Sequence, residues 1–283
     1  MGIRQDVFGL EQIYRLQIEG QWSTKGDVFT SPSPFNATHP FGYFGGGQPG
    51  PGSLSTVDRI NYSNDTADAS PKGPLNTARA YLAATGNKNF GYFGGAGTSP
   101  VQTIVERIDY TNDTATASPK GSLSVARWGL GATGNASFGY FGGGGPGTKS
   151  TVDRIDYSND TAEASPKGNL TVARSELAAT GNQNFGYFGG GETKSTVERI
   201  DYSNDTADAS PKGPLGIVKQ SMGATGNADF GYFGGGFSSS PKFSTVDRID
   251  YSNDTADASP KGSLSSPRNY LAATGNASFG YFG

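Results

Sequence analysis

The chain of 283 residues has no cysteine, one histidine, two tryptophans and two methionines. Without cysteine there is no disulfide framework, no thiol nucleophile and no thiolate-ligated metal. With His39 alone, any imidazole-based catalytic pair would rest on one side chain, and its place before Pro40 reads as a turn. Charged residues make up 17% and the net charge is −3, which offers no basic field for nucleic acid or an anionic membrane surface. No apolar run reaches the roughly 18 residues of a transmembrane helix, so no membrane insertion is expected. The start, Met1-Gly2-Ile3-Arg4-Gln5-Asp6, lacks the apolar stretch of a signal peptide, and Asp6 stands where an N-myristoylation motif needs Ser or Thr. These features suit a reducing cytosol, or a particle assembled there.

Glycine is plentiful, at 44 residues, together with 17 Phe and 14 Tyr. Aromatic residues at fixed places among the glycines argue for a packed β fold rather than a disordered chain. The motif Phe-Gly-Tyr-Phe-Gly begins at Phe41, Phe90, Phe138, Phe185, Phe230 and Phe279, in steps of 49, 48, 47, 45 and 49 residues. A second motif, Val-Asp/Glu-Arg-Ile-Asp/Asn-Tyr, begins at Val57, Val105, Val152, Val197 and Val246. From each valine to the second Phe of the next aromatic motif is always 36 residues, whereas the return path takes 13, 12, 11, 9 and 13. All length variation therefore falls in one loop per repeat, because loops tolerate insertion and strand registers do not.

Many short strands at this period predict a β-propeller. One unit reads as four strands: Leu130-Gly131-Ala132-Thr133, Phe138-Gly139-Tyr140-Phe141, residues 151–157, and Thr161-Ala162-Glu163-Ala164-Ser165. Asn159-Asp160 supplies the tight turn before the fourth, which ends at Pro166 as an outer edge strand should.

The succession Leu123-Ser124-Val125-Ala126-Arg127, Gly134-Asn135, Phe138-Gly139-Tyr140-Phe141-Gly142-Gly143 and Val152-Asp153-Arg154-Ile155-Asp156-Tyr157 resembles a kelch repeat. The resemblance covers about 240 residues and implies a kelch-type propeller of four-stranded blades. The sequence departs from it where a kelch blade carries Trp on its fourth strand, which implies thinner packing between blades there, and at Lys219, which stands in place of Arg79, Arg127, Arg174 and Arg268. The repeat wording is also similar to kelch-like proteins of marine bacteriophages, which implies a virion protein near the tail or its fibres.

The fold expected is all-β: a single domain over 1–283 forming a six-bladed propeller. Blades one to five occupy 31–73, 74–121, 122–168, 169–213 and 214–262, and residues 263–283 give the first two strands of the sixth. The N-terminal run Ile13-Tyr14-Arg15-Leu16-Gln17-Ile18 matches Val105-Glu106-Arg107-Ile108-Asp109-Tyr110, and Trp22 then falls in a fourth strand. Residues 1–30 are therefore expected to close the sixth blade, with strands at about 11–25 pairing with about 270–283. The alternative is a separate N-terminal anchor.

Most candidate sites have a plainer reading. Six identical aromatic motifs at strand spacing are blade-to-blade core rather than a stacking ladder. Gly147-Thr148-Lys149-Ser150 fails as a phosphate loop, since Thr separates Gly from Lys and no helix follows. Asn64-Asp65-Thr66 and its counterparts are formal glycosylation sequons that read better as hairpin turns. Calcium at those turns, for example on Asp160 and Glu163, lacks an established ligand spacing. The repeated arginines suggest structural hydrogen bonds rather than the arginine cluster of a sialidase, and the imidazoles and Tyr–Cys link of a kelch-type copper oxidase are missing.

The variable positions are more informative, because near-identical blades differ mainly on one face. The second-to-third-strand loops there carry 48–54, 97–102, 146–149, 192–194 and 237–243. After the repeated basic residue stand Tyr81, Trp128, Glu176, Ser221 and Tyr270. The candidate ligand-binding residues are Tyr81, Trp128, Tyr270, Lys149, Lys194 and Phe237, a set suited to sugar or protein contact; drift in solvated loops is the bland alternative.

The function expected is a non-enzymatic structural or recognition propeller with no cofactor and no metal, in a virion, contacting a host-surface glycan or protein or other virion proteins. A homo-oligomer is left open. A cellular kelch adaptor binding a protein, and a carbohydrate-active enzyme with paired carboxylates, are the alternatives.

Overall fold

The computed structural model describes residues 39–48, 52–97 and 100–283. They form an all-β propeller of antiparallel blades, with helix confined to three single 3-10 turns, Tyr110–Asn112, Tyr202–Asn204 and Tyr251–Asn253. Blade three shows the plan, with strands Gly131–Gly134, Phe138–Gly142, Val152–Asp156 and Ser165–Pro166 side by side in chain order. Blades two (83–119), four (178–212) and five (223–261) repeat it, and blade one (41–72) has three strands.

The described residues thus make five blades of three or four strands, not six. The sixth unit is a two-stranded ladder of Ala273–Gly275 and Gly280–Phe282. The expected closing strands at 11–25 lie outside the described residues. The ladder reaches blade one: the Tyr62 and Thr274 hydroxyls are 2.7 Å apart, and the Tyr281 hydroxyl donates to Asp65 at 2.8 Å.

The second strand explains its own sequence. In a strand successive side chains face opposite ways, and here both faces meet another blade. The Tyr140 ring stacks on Tyr202 of blade four at 4.7 Å, and the Phe188 ring of blade four lies over Gly142. On the opposite face, Phe141 lies over Gly94 of blade two, and Gly139 admits Thr85 of blade two. Glycine alternates with aromatics because each ring needs a bare backbone in the neighbouring blade to lie on.

The expected fourth strand is displaced. Residues 161–164 lie in the turn and its exit, and pairing runs only through Ser165 and Pro166. The reason is Asp160, which is a buried clasp residue rather than half of a tight hairpin. Its carboxylate takes the Tyr92 hydroxyl at 2.8 Å, the Arg107 guanidinium at 2.6 Å and the Lys120 ammonium at 3.3 Å, all from blade two. The same clasp recurs from blade one to Asp113, from blade three to Asp205 and from blade four to Asp254. Each clasp arginine also lies over the first Phe of its own blade, as Arg154 does over Phe138 at 4.3 Å. A polar clasp therefore joins neighbouring blades at the rim, in the region where the missing tryptophan had implied only thinner packing.

Bound to its neighbour, the turn leaves no room beneath it. A Cβ on Gly121 would collide with the Ala162 carbonyl, and Gly73, Gly168 and Gly213 are overlain in the same way. At Gly262, the fifth such position, nothing among the described residues lies within 4 Å.

Candidate functional site at the channel mouth

The repeated basic residue anchors the connection into each inner strand. Arg127 is fully buried and donates to the carbonyls of Phe141 and Gly143 at 3.1 Å and of Thr151 at 2.7 Å, and it pairs with Asp153 at 2.6 Å. Arg79 with Glu106, and Arg174 with Glu198, do the same in blades two and four. Burial lowers the pKa of all three arginines, and the adjacent carboxylates oppose that shift. These are the structural hydrogen bonds the repetition implied.

Two residues beyond each anchor the chain turns into the left-handed region: Tyr81 (φ 57°), Gly129 (60°), Glu176 (55°), Ser221 (53°) and Tyr270 (55°). Their backbones are linked around the axis. The Gly129 N–H donates to Tyr81 O at 2.8 Å, Glu176 to Gly129 at 2.6 Å, Ser221 to Glu176 at 2.8 Å and Tyr270 to Ser221 at 2.8 Å. For Tyr and Glu this conformation costs about 1–2 kcal/mol each, and the chain of four bonds holds it. The side chains of Tyr81, Glu176, Ser221 and Tyr270 are thereby set around one end of the central channel.

The structure brings four of the six candidate residues together. Trp128 meets Tyr81 at 5.8 Å, Tyr81 meets Tyr270 edge-on at 5.7 Å, and Tyr270 meets Phe237 at 5.7 Å, a continuous aromatic strip from four segments of chain. Tyr81 and Tyr270 are exposed. Trp128 requires a correction of register: the residue equivalent to Tyr81 is Gly129, and Trp128 stands one place earlier, its ring against Gly145 of its own blade's loop. The spacing from the basic residue to the following Leu or Met, three residues in every repeat, would have shown this.

Lys149 and Lys194 do not join the strip. The Lys149 ammonium turns back to the Pro146 carbonyl at 3.1 Å and its backbone pairs with Arg174, while Lys194 closes its own loop onto Gly191. What the candidate set omitted is Glu176. Its carboxylate accepts the Ser221 hydroxyl, and its charge helps raise the pKa of Tyr270, an effect second to desolvation.

Other candidates resolve into structure. His39 packs on Tyr110 at 4.2 Å with Nδ1 3.1 Å from the Phe41 carbonyl, and burial lowers its pKa. Among the described residues no group of three or more His, Asp or Glu is placed to hold a metal ion, and no helix is long and apolar enough to cross a membrane.

A cavity of about 690 Å³ opens at this end of the channel, walled by small inner-strand residues such as Ala83, Gly131, Ala178 and Ala272, with Tyr81, Glu176, Ser221 and Tyr270 at its mouth. Among the described residues its lining extends to Phe44 and Asp58 of blade one. Compared with known proteins, the sequence matches no family model and no curated protein.

Proposed function

We propose that the chain is a non-enzymatic recognition propeller that holds a glycan or a partner protein at the channel mouth. One observation carries this reading: repeats alike in their core differ at the mouth, and the differing residues converge into an aromatic strip whose two exposed rings, Tyr81 and Tyr270, stand on left-handed backbone. Strain maintained at an exposed site is common where side chains must be presented in a fixed pose. The kelch-like order of motifs supports a recognition role, and the similarity of the repeat wording to kelch-like phage proteins favours a virion, with the host surface or other virion proteins as the partner. The non-enzymatic reading rests on the anchor acids Glu106, Asp153, Glu198 and Asp247, which are paired with buried bases, and on His39, which is packed among aromatic rings away from the mouth. A glycan array and a pull-down against virion proteins, each repeated with Tyr81→Ala and Trp128→Ala, test it. Binding abolished by those changes supports the reading; binding unaffected by both places recognition elsewhere and refutes it.

The propeller is completed, in this reading, to six blades by residues 11–25 beside Gly280–Phe282. Arg248 stacks on Phe230 as its counterparts stack on theirs, yet among the described residues it has no carboxylate partner. Gly262 likewise has no neighbour within 4 Å among the described residues. A chain lacking residues 1–30 should then unfold at lower temperature; an unchanged melt would favour a separate anchor.

A further inference from the structure

The proposed recognition site contains a charge that recognition in general does not require. Eight carboxylates of the propeller have basic partners: Asp113, Asp160, Asp205 and Asp254 in the clasps, and Glu106, Asp153, Glu198 and Asp247 at the anchors; Asp58, which lines the same cavity, and Asp65 have none among the described residues. Glu176 has none among the described residues, and its only side-chain partner is the Ser221 hydroxyl. It is half-buried at the mouth of the cavity, with the exposed rings of Tyr81 and Tyr270 on the same rim. Gly129, the one glycine among the five left-handed residues, lies against the Glu176 backbone: a Cβ there would come within 3.2 Å of the Glu176 N. Left-handed backbone fixes the direction in which Glu176 leaves the ring, although glutamate gains nothing locally from that conformation.

A partly desolvated carboxylate beside aromatic rings attracts a cation, by charge and by the negative faces of the rings. The hydroxyls of Tyr81, Tyr270 and Ser221 on the same rim ask in addition for a ligand with hydroxyl groups of its own. A hexosamine combines the three requirements: an ammonium, several hydroxyls and an apolar C–H face that rests on an aromatic ring. A lysine side chain supplies only the first. We propose that the channel mouth binds an amino sugar through its free ammonium, held by Glu176 beside the exposed rings of Tyr81 and Tyr270.

This inference rests on the recognition reading and names its ligand. The test is titration calorimetry of the full chain with a glucosamine trimer, an N-acetylglucosamine trimer and lysine methylamide. The glucosamine trimer should bind, and its acetylated counterpart should bind at least about tenfold more weakly. Glu176→Gln keeps an oxygen for Ser221 and should weaken glucosamine binding about tenfold without changing the melting temperature. Tyr81→Ala should weaken both sugars. Equal binding of the two trimers, or undiminished binding by Glu176→Gln, would overturn the role of the ammonium. Tight binding of lysine methylamide with none of the sugar would overturn the sugar. Absence of any binding in these titrations would overturn this inference alone; the recognition reading survives if another glycan or a protein still binds in a manner that Trp128→Ala abolishes.

Discussion

Lys219→Arg is expected to stabilise the protein by about 1–2 kcal/mol. Lys219 is fully buried and makes two contacts, to the Phe233 carbonyl at 3.1 Å and to Asp247 at 2.9 Å. Arg127, in the same place in blade three, reaches three carbonyls besides its aspartate. The counterparts of the two additional carbonyls, on Gly235 and Thr245, are therefore within reach of a guanidinium but not of the ammonium. The Thr245 hydroxyl is buried without a partner, whereas its equivalent in blade four, Thr196, accepts from Arg174 at 2.9 Å. Two or three added bonds, at about 0.5–1.5 kcal/mol each net of solvation, less some strain in repacking, give the figure. Arg and Lys lose similar side-chain entropy, so that term cancels. A rise of about 2–6 °C in melting temperature follows for a chain of this size. The gain also depends on pH. Burial lowers the pKa of Lys219, with Asp247 opposing, so the unfolded chain holds that proton more tightly than the folded one. The lysine form thus gains stability as pH rises from its folded pKa toward about 10.4, and the advantage of the arginine, which does not titrate there, should shrink over the same range. Thermal and urea unfolding at pH 7 and pH 9.5 measure both effects, with Arg127→Lys as the reverse experiment, expected to lose about 1–2 kcal/mol. If both substitutions leave stability unchanged, the buried carbonyl contacts contribute nothing and the reasoning about the anchor is refuted.

Gly121→Ala should cost several kcal/mol, since its Cβ meets the carbonyl of Ala162 and backbone has to move. Gly262→Ala separates two pictures of the sixth unit: a comparable loss shows a turn packed above it, and a neutral or slightly stabilising change shows open space. Asp205→Asn should cost about 1–2 kcal/mol, discounted because Arg154 is a quarter exposed and partly screened; Asp65→Asn, whose partner among the described residues is the Tyr281 hydroxyl alone, should be comparably costly if residues 11–25 complete its clasp and nearly silent in the same melts if they do not. Alkaline pH should unfold the protein cooperatively. Tyr157, Tyr202 and Tyr251 have pKa values raised above the ordinary 10, chiefly by desolvation. Their protonated forms are held by the folded state, so stability is complete below pH 10 and falls above it by about 1.36 kcal/mol per unit for each group. Tyrosinate absorbance should therefore appear together with unfolding; its appearance in a chain that is still folded would contradict this burial.

The repeat was legible because it is constrained twice, in spacing and in alternation. A constant 36 residues between motifs marks elements that cannot change length, and the aromatic–glycine alternation marks a strand covered on both faces. The anchoring role of Arg79, Arg127 and Arg174 could be read from its recurrence alone. The clasp could not: Asp160 looks locally like a turn former, and its three partners lie 40 to 68 residues away. Misreading Asp160 displaced the fourth strand, because a turn tied to the next blade does not fold back at once. At the mouth, Tyr81, Tyr270 and Phe237 were found through their variability, while Trp128 was set one residue out of register and Glu176 passed over as one variable residue among several. Its significance appears only when the anchor carboxylates Glu106, Asp153, Glu198 and Asp247 are seen to be neutralised.

The clasp has a consequence for how the chain finds its fold. Its donor side (a tyrosine, an arginine and a lysine) and its acceptor side (one aspartate) are nearly identical in successive blades, so blade two fits blade four about as well as it fits blade three. Connectivity discriminates weakly, since doubling a loop costs only about 0.6 kcal/mol in closure entropy. Correct neighbours are therefore selected by the whole ring: a skipped blade leaves a tyrosine stack and a clasp unfilled at once. Early encounters sample wrong pairings of nearly native quality, and the fidelity of the final arrangement is collective rather than local.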